Sequence, residues 1–149
     1  MGRWVIIVGA LGMVMAGCGG DPGNGNATRD LDAVDSPVAR YDWSPSDGSM
    51  DALLEGKLEM RDACLVVNPS WDNGDAVMVP VFPRSQASWD AEGEVLSYAG
   101  RDYGIGDSIW AGGGYVPAAS NAEIPASCAV EAGEEVFLIQ ATTLEAPEG

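Results

Sequence analysis

Hydrophobic positions follow two regimes along this chain. Trp4 to Val14 is a nearly unbroken apolar run, whereas from Leu53 onward apolar residues come in short alternations or bursts of four, separated by Gly, Pro, Asn and Asp. Within Leu53–Val67, Leu58 and Met60 alternate with Lys57, Glu59 and Arg61, the period of a half-buried strand. That segment turns at Arg61-Asp62 into the fully apolar Cys64-Leu65-Val66-Val67. Turn residues follow at Asn68-Pro69-Ser70 and Asp72-Asn73-Gly74-Asp75. A return strand is expected over Ala76–Phe82, with Pro80 marking an edge or a bulge. Trp89-Asp90-Ala91-Glu92-Gly93 reads as a turn before a third strand, Glu94–Tyr98, and Ala99–Asp107 as a glycine-rich loop. Ser108–Ala111 is a short fourth strand ending at Gly112-Gly113-Gly114, where a sharp bend or a close backbone approach is expected. Ser120–Ala129 has room for one helical turn, limited by Pro125. Glu135–Thr142 is the last strand, and Val136–Ile139, apolar on both faces, makes it central.

Strands this short, with turns every ten residues or so, predict a mainly β domain: a small five- to six-stranded barrel or sandwich. A long bent first strand, a meander and an isolated closing strand resemble the OB fold in broad plan. The order departs from it, because the helical turn precedes the last strand instead of falling between the third and fourth.

The N-terminal run is too short for a membrane-spanning helix, which needs about 20 apolar residues. Arg3 ahead of it, and the small residues Ala16 and Gly17 behind it, are the parts of an export signal. Met15-Ala16-Gly17-Cys18 resembles the bacterial lipobox, in which an apolar residue, usually leucine, and two small ones precede a cysteine. The resemblance implies that Cys18 receives a diacylglycerol and becomes the first residue of the mature chain. Acyl chains of the palmitate class contribute about 0.8 kcal/mol per buried CH₂, so two or more hold a protein stably on a membrane. The lipid on Cys18 would then anchor the protein in the bacterial cell envelope, on the extracytoplasmic side.

Residues 1–17 are thus read as signal and 18–51 as a flexible tether rich in Gly, Asn, Asp, Ser and Pro. Residues 52–143 are the β domain and 144–149 a loose tail. Some thirty flexible residues reach about 30 Å, enough to lift a domain clear of lipid head groups. Tyr41 and Trp43 interrupt the polar tether and are read as lying on the domain surface or simply exposed.

If Cys18 carries lipid, Cys64 and Cys128 are left as an even pair in an oxidising compartment, where a disulfide is expected. The alternative is two reduced cysteines acting as ordinary core residues.

Charge excludes one class of partner. The formal net charge of −16 becomes −17 once Arg3 leaves with the signal, and the remaining basic residues are scattered. Such a domain repels phosphate backbones, so nucleic acid is not an expected partner. Nor is direct attraction to anionic lipid.

The chain contains no histidine, which removes His-dependent triads and His-ligated zinc. Gly106-Asp107-Ser108-Ile109 resembles the nucleophile block of GDSL-type esterases, but the histidine such an enzyme needs is missing. The block is read as a turn entering a strand. Asp90, Glu92 and Glu94 alternate, yet lack the spacing of a calcium loop, so neither a metal nor a cofactor is expected. Trp71, Trp89, Trp110 and Tyr115 flank the loops and form either a binding surface or part of the core. The leading expectation is a non-enzymatic envelope domain that binds a partner protein or small ligand, or organises the cell surface. The alternative is a small envelope hydrolase working through carboxylates, betrayed by a desolvated acidic pair in a cleft.

Overall fold

Alternate residues of the segment Ala52–Arg61 divide between two environments in the computed structural model, which describes residues 36–72, 76–118 and 121–146. Leu54, Gly56 and Leu58 are buried on one side, while Leu53 and Lys57 face out on the other. The same two-residue period organises the other long strands. In chain order the strands are β1 (Ala39–Tyr41), β2 (Ala52–Arg61), β3 (Cys64–Pro69), β4 (Pro80–Pro83) and β5 (Ala87–Asp90). They continue with β6 (Val95–Tyr98), β7 (Arg101–Gly104), β8 (Ser108–Pro117), β9 (Ala122–Glu123) and β10 (Glu135–Ile139).

The described residues form a seven-stranded sheet in the order β3-β2-β8-β10-β4-β1-β9 and a three-stranded meander β5-β6-β7. The fold is therefore mainly β, as the pattern predicts, but of the five- to six-stranded barrel or sandwich expected, the barrel is not formed, and the described residues hold ten strands. The large sheet curls without closing: β3 returns toward the start of β4 and meets it through a single bridge, Val67 to Met78. The obstacle to a continuous ladder is local, since β4 begins with Pro80, which has no N–H to donate. Pro80 does not put β4 at an edge either. The strand runs parallel between β10 and β1, and the proline is tolerated because it occupies the first position.

Glycines let the two longest strands bend. A Cβ at Gly56 would meet the Asn68 carbonyl on β3, and one at Gly113 would meet the Leu138 carbonyl on β10. The close approach expected at Gly112-Gly113-Gly114 is present, yet β8 runs on through these glycines to Pro117 instead of ending at Ala111. The β2–β3 and β6–β7 hairpins each use a two-residue turn with both residues at positive φ, Asp62-Ala63 and Ala99-Gly100. With no Asn-Gly at either turn, β7 was hidden inside what reads as a loop.

Two cores lie on opposite sides of the large sheet. Leu54, Leu58, Leu65, Val67, Ile109, Phe137 and Ile139 face inward, against Ala87, Leu96, Tyr98 and Tyr103 of the small sheet. On the other side Val66, Val81, Val136 and Ala39 are covered by Ile124, Cys128 and Val130. Cys64 and Cys128 are disulfide-bonded, with Cα atoms 4.8 Å apart and a separation of 64 in sequence. Beside the bond, the Ser127 hydroxyl donates to the Ala63 carbonyl at 2.8 Å. The covering segment is thus clasped to the tip of the β2–β3 hairpin. Its helical content is one 3-10 turn, Ala126–Cys128, because Pro125 interrupts anything longer.

Both domain boundaries shift from those the composition implies. Residues 36–51 do not all belong to a tether: β1 lies buried between β4 and β9, and Tyr41 is only 3% exposed. Three residues are too few to show a period, so composition alone hid this strand. At the other end Leu144 is fully buried, and its carbonyl accepts a hydrogen bond from Trp110 N at 2.8 Å. The loose tail read from residue 144 onward therefore holds a core residue. The signal, Cys18 and the tether as far as residue 35 lie outside the described residues.

Candidate functional site

The side of the large sheet that bears the second core is covered over only half its width. Over β10, β4 and β1 it is sealed by Ala122, Ile124, Cys128 and Val130. Over β2 and β8 the described residues leave it open. Register puts three cross-strand pairs on this open face: Leu53 with Gly112, Glu55 with Trp110, and Lys57 with Ser108. Leu53 is 47% exposed, and Met50 lies just beyond it at 38%. A Cβ at Gly114 would collide with the Met50 side chain, so the bare glycine is what lets Met50 lie against the strand.

Two shallow clefts occupy the open face. The first, about 240 Å³, lies where Glu55, Lys57 and Ser108 meet Asn68, Ser70 and Asp72 of the chain leaving β3. Trp71, between Ser70 and Asp72, is 59% exposed, the highest value among the exposed large hydrophobic residues described. The second cleft, about 410 Å³, lies between Leu53, Trp110 and Gly112 and the polar run Gln140 to Thr143. Past Ile139 the chain keeps following β8, with Gln140 N donating to Gly112 O at 2.9 Å. The Gln140 side-chain oxygen in turn accepts from Met50 N at 2.7 Å.

Electrostatically the face is mixed. Lys57 is exposed and forms no ion pair among the described residues. Glu59, farther along the same strand, accepts from Asn68 Nδ2 and Arg61 Nη2, both at 2.9 Å. The Asn68 amide, and then the Arg61 guanidinium, hold its carboxyl below the usual range. Asn68 is thereby fixed at the cleft wall.

The four aromatic residues singled out in the sequence are not brought together. Trp110 borders the open face, and Trp71 is exposed in the chain leaving β3. Trp89 is half-buried against the inner core. Tyr115, five residues along β8 from Trp110, belongs to the opposite side and stacks edge-on against Phe137, ring centroids 4.9 Å apart. Alternation alone separates Trp110 from Tyr115. Lys57 was legible as an outward residue of a strand, but the partner strand that sets Leu53, Glu55 and Lys57 against Gly112, Trp110 and Ser108 was not.

The other sequence motifs have structural employment. Asp90 Oδ1 accepts from Glu92 N at 3.1 Å, capping the β5–β6 turn. Asp107 Oδ2 accepts from Gly104 N at 2.7 Å in the turn that leads into β8, so the Gly106-Asp107-Ser108-Ile109 block is a turn entering a strand. Among the described residues Arg40 is the buried charged residue, and no carboxylate is buried. Arg40 Nη2 donates to Glu123 Oε1 at 3.2 Å, while its Nε and Nη1 have no partner. Arg84 Nη2 donates to the other Glu123 oxygen at 2.7 Å, and this bond is the main cause that holds the Glu123 carboxyl below its ordinary range.

Fold and site define a mainly β, disulfide-closed domain with one half-covered sheet face. No protein-family model, no curated protein and no solved structure matches the chain.

Proposed function

We propose that this protein is a lipid-anchored binding module of the bacterial cell envelope, held to a membrane through acyl chains on Cys18. It takes its partner on the open β2–β8 face. The observation that carries the reading is the exposure on that face, where Leu53 is 47% exposed and Trp110, Glu55 and Lys57 border two clefts. Exposed indoles on a rigid β scaffold are effective anchors, because they offer area with little conformational freedom to lose. The hydrolase alternative needs a desolvated carboxylate pair, and the carboxylates described are all at least partly exposed.

The test has two parts. Replacing Cys18→Ser releases the protein from membranes and abolishes palmitate labelling; a variant that stays membrane-bound contradicts the anchor. For the face, a photo-crosslinking residue placed at Ser70 or Leu53 in living cells gives a discrete adduct that the same residue at Glu92, on the β5–β6 turn, does not. Equal yield from all three positions, or from none, contradicts the site.

A further inference from the structure

We infer that the Cys64–Cys128 disulfide is a redox latch on the covering segment, residues 121–135: its reduction lets the segment lift from the second core while the rest of the domain stays folded. The inference is independent of the binding reading above. None of residues 121–135 is buried, although Ala39, Val66, Val81 and Val136 beneath them are at most 3% exposed. The segment covers a core without being set in one. From Pro125 to Val130 its backbone hydrogen bonds among the described residues, Cys128 N to Pro125 O and Ala129 N to Ala126 O, stay within the segment and join no strand. Its middle is tied to the sheet by the disulfide and by the Ser127 hydroxyl, which donates to the Ala63 carbonyl. Its ends are held by the two residues of β9, with the Glu123 ion pairs, and by Ala118 N on Glu134 O. Segments with few buried contacts and few ladder bonds open ahead of the whole fold.

The inner core keeps that opening local. Its members, among them Leu54, Leu96, Tyr98, Ile109 and Phe137, include no residue of the segment. Strain favours the opening, because Ala129, next to Cys128, is held at φ 49°, left-handed backbone that a residue with a Cβ rarely adopts. The bond is also open to attack from one side. Cys64 is 2% exposed, whereas Cys128 lines a cleft of about 390 Å³ with Val79, Val130 and Glu134. The reductant class is a dithiol. One of its thiols, as thiolate, attacks the Cys128 sulfur; the sulfur–sulfur bond breaks and Cys64 leaves as a thiolate that takes up a proton. The second thiol then displaces Cys128, which is protonated in turn, and closes an internal disulfide, so two electrons pass from the dithiol to the two cysteines. With the segment lifted, the exposed sheet face runs on from β2 and β8 across β10 and β4.

The experiment uses the full-length protein in detergent micelles, with and without dithiothreitol and in the absence of denaturant. Alkylation followed by mass measurement reads the cysteines, and hydrogen–deuterium exchange reads the backbone segment by segment. Both cysteines are expected to alkylate, Cys64 included, and exchange in residues 121–135 to accelerate ten-fold or more. Exchange in β2, β6 and β8 should change less than two-fold, and reoxidation should restore slow exchange in the segment. A disulfide that resists the dithiol until urea unfolds the chain overturns the inference. So does reduction that leaves exchange in residues 121–135 unchanged, or that accelerates β2, β6 and β8 to the same degree.

Discussion

Val67 and Met78 exchange a pair of backbone hydrogen bonds, 2.8 and 2.9 Å long, at the point where β3 bends back toward β4. This bridge is the narrowest link in the sheet's curl, and the bond between Cys64 and Cys128 lies three residues from it along β3. The clasp and the bridge together keep the covering segment on one half of the sheet. They thereby leave the other half free.

Removing the clasp should therefore cost stability well beyond one side-chain contact. For a loop of 64 residues the chain-entropy effect is about 4 kcal/mol. The Cys64→Ala, Cys128→Ala double variant is expected to unfold at a much lower urea midpoint than the parent. An unchanged midpoint would show that the bridge alone holds the curl.

Neighbouring glycines on β8 should differ sharply. Gly113→Ala drives a methyl into the Leu138 backbone and the Phe137 ring, an overpacking that costs about 1–3 kcal/mol or more. At Gly112 the nearest atom to an added methyl is 3.9 Å away, in ordinary contact, so Gly112→Ala should change stability by about 0.5 kcal/mol or less. Thermal melts of the two variants make the comparison, and equal losses would refute the bend at Gly113.

Arg40 is buried with two unpaired donors, a poor bargain for an ion pair. Arg40→Met is expected to be neutral or stabilising by about 1–4 kcal/mol, as when buried pairs are replaced by apolar residues of similar volume. Glu123→Gln, which leaves Arg40 charged without its carboxylate, should destabilise instead. Its effect should also fade in acid: Glu123 has a depressed pKa in the fold, so its contribution is present above the unfolded value and lost as pH falls through the folded one. Denaturant midpoints across pH 3 to 7 report both, and a large loss on Arg40→Met would mean that Nε and Nη1 are satisfied after all.

Alkaline stability turns on Tyr41. Burial pushes its hydroxyl up to about 12, and its OH donates to the Ile139 carbonyl at 2.8 Å. Burial likewise raises Tyr98, whose OH donates to the Ala141 carbonyl at 2.5 Å. Between pH 10 and about 12 the unfolded chain loses these protons while the folded one keeps them, so stability falls as pH rises. Tyr41→Phe should lower stability at neutral pH and flatten that alkaline decline. A parallel decline in both proteins would assign the effect elsewhere.

The comparison of pattern with structure follows the length of each signal. β2, β3 and β10 were legible because alternation or an unbroken apolar burst persists over at least four residues, and β10 proved central as its two apolar faces require. β1, β5, β7 and β9 were not, being two to four residues long, and β1 and β9 depend as well on neighbours far away in sequence. The barrel expectation failed because strand count says nothing of strand order, and the parallel run β10-β4-β1 comes from long connections rather than hairpins. For the site, residue type identified Trp110, whereas separating it from Trp89 and Tyr115 needed the register.

The account stands most directly on whether the β2–β8 face is occupied in the envelope. Hydroxyl-radical footprinting of the protein in intact cells, against the same protein purified in detergent, measures this at Trp110 and Met50, with Trp43 as internal reference. Protection of Trp110 and Met50 by several-fold in cells, with Trp43 unchanged, is the expected result. Equal oxidation rates in both settings would contradict it.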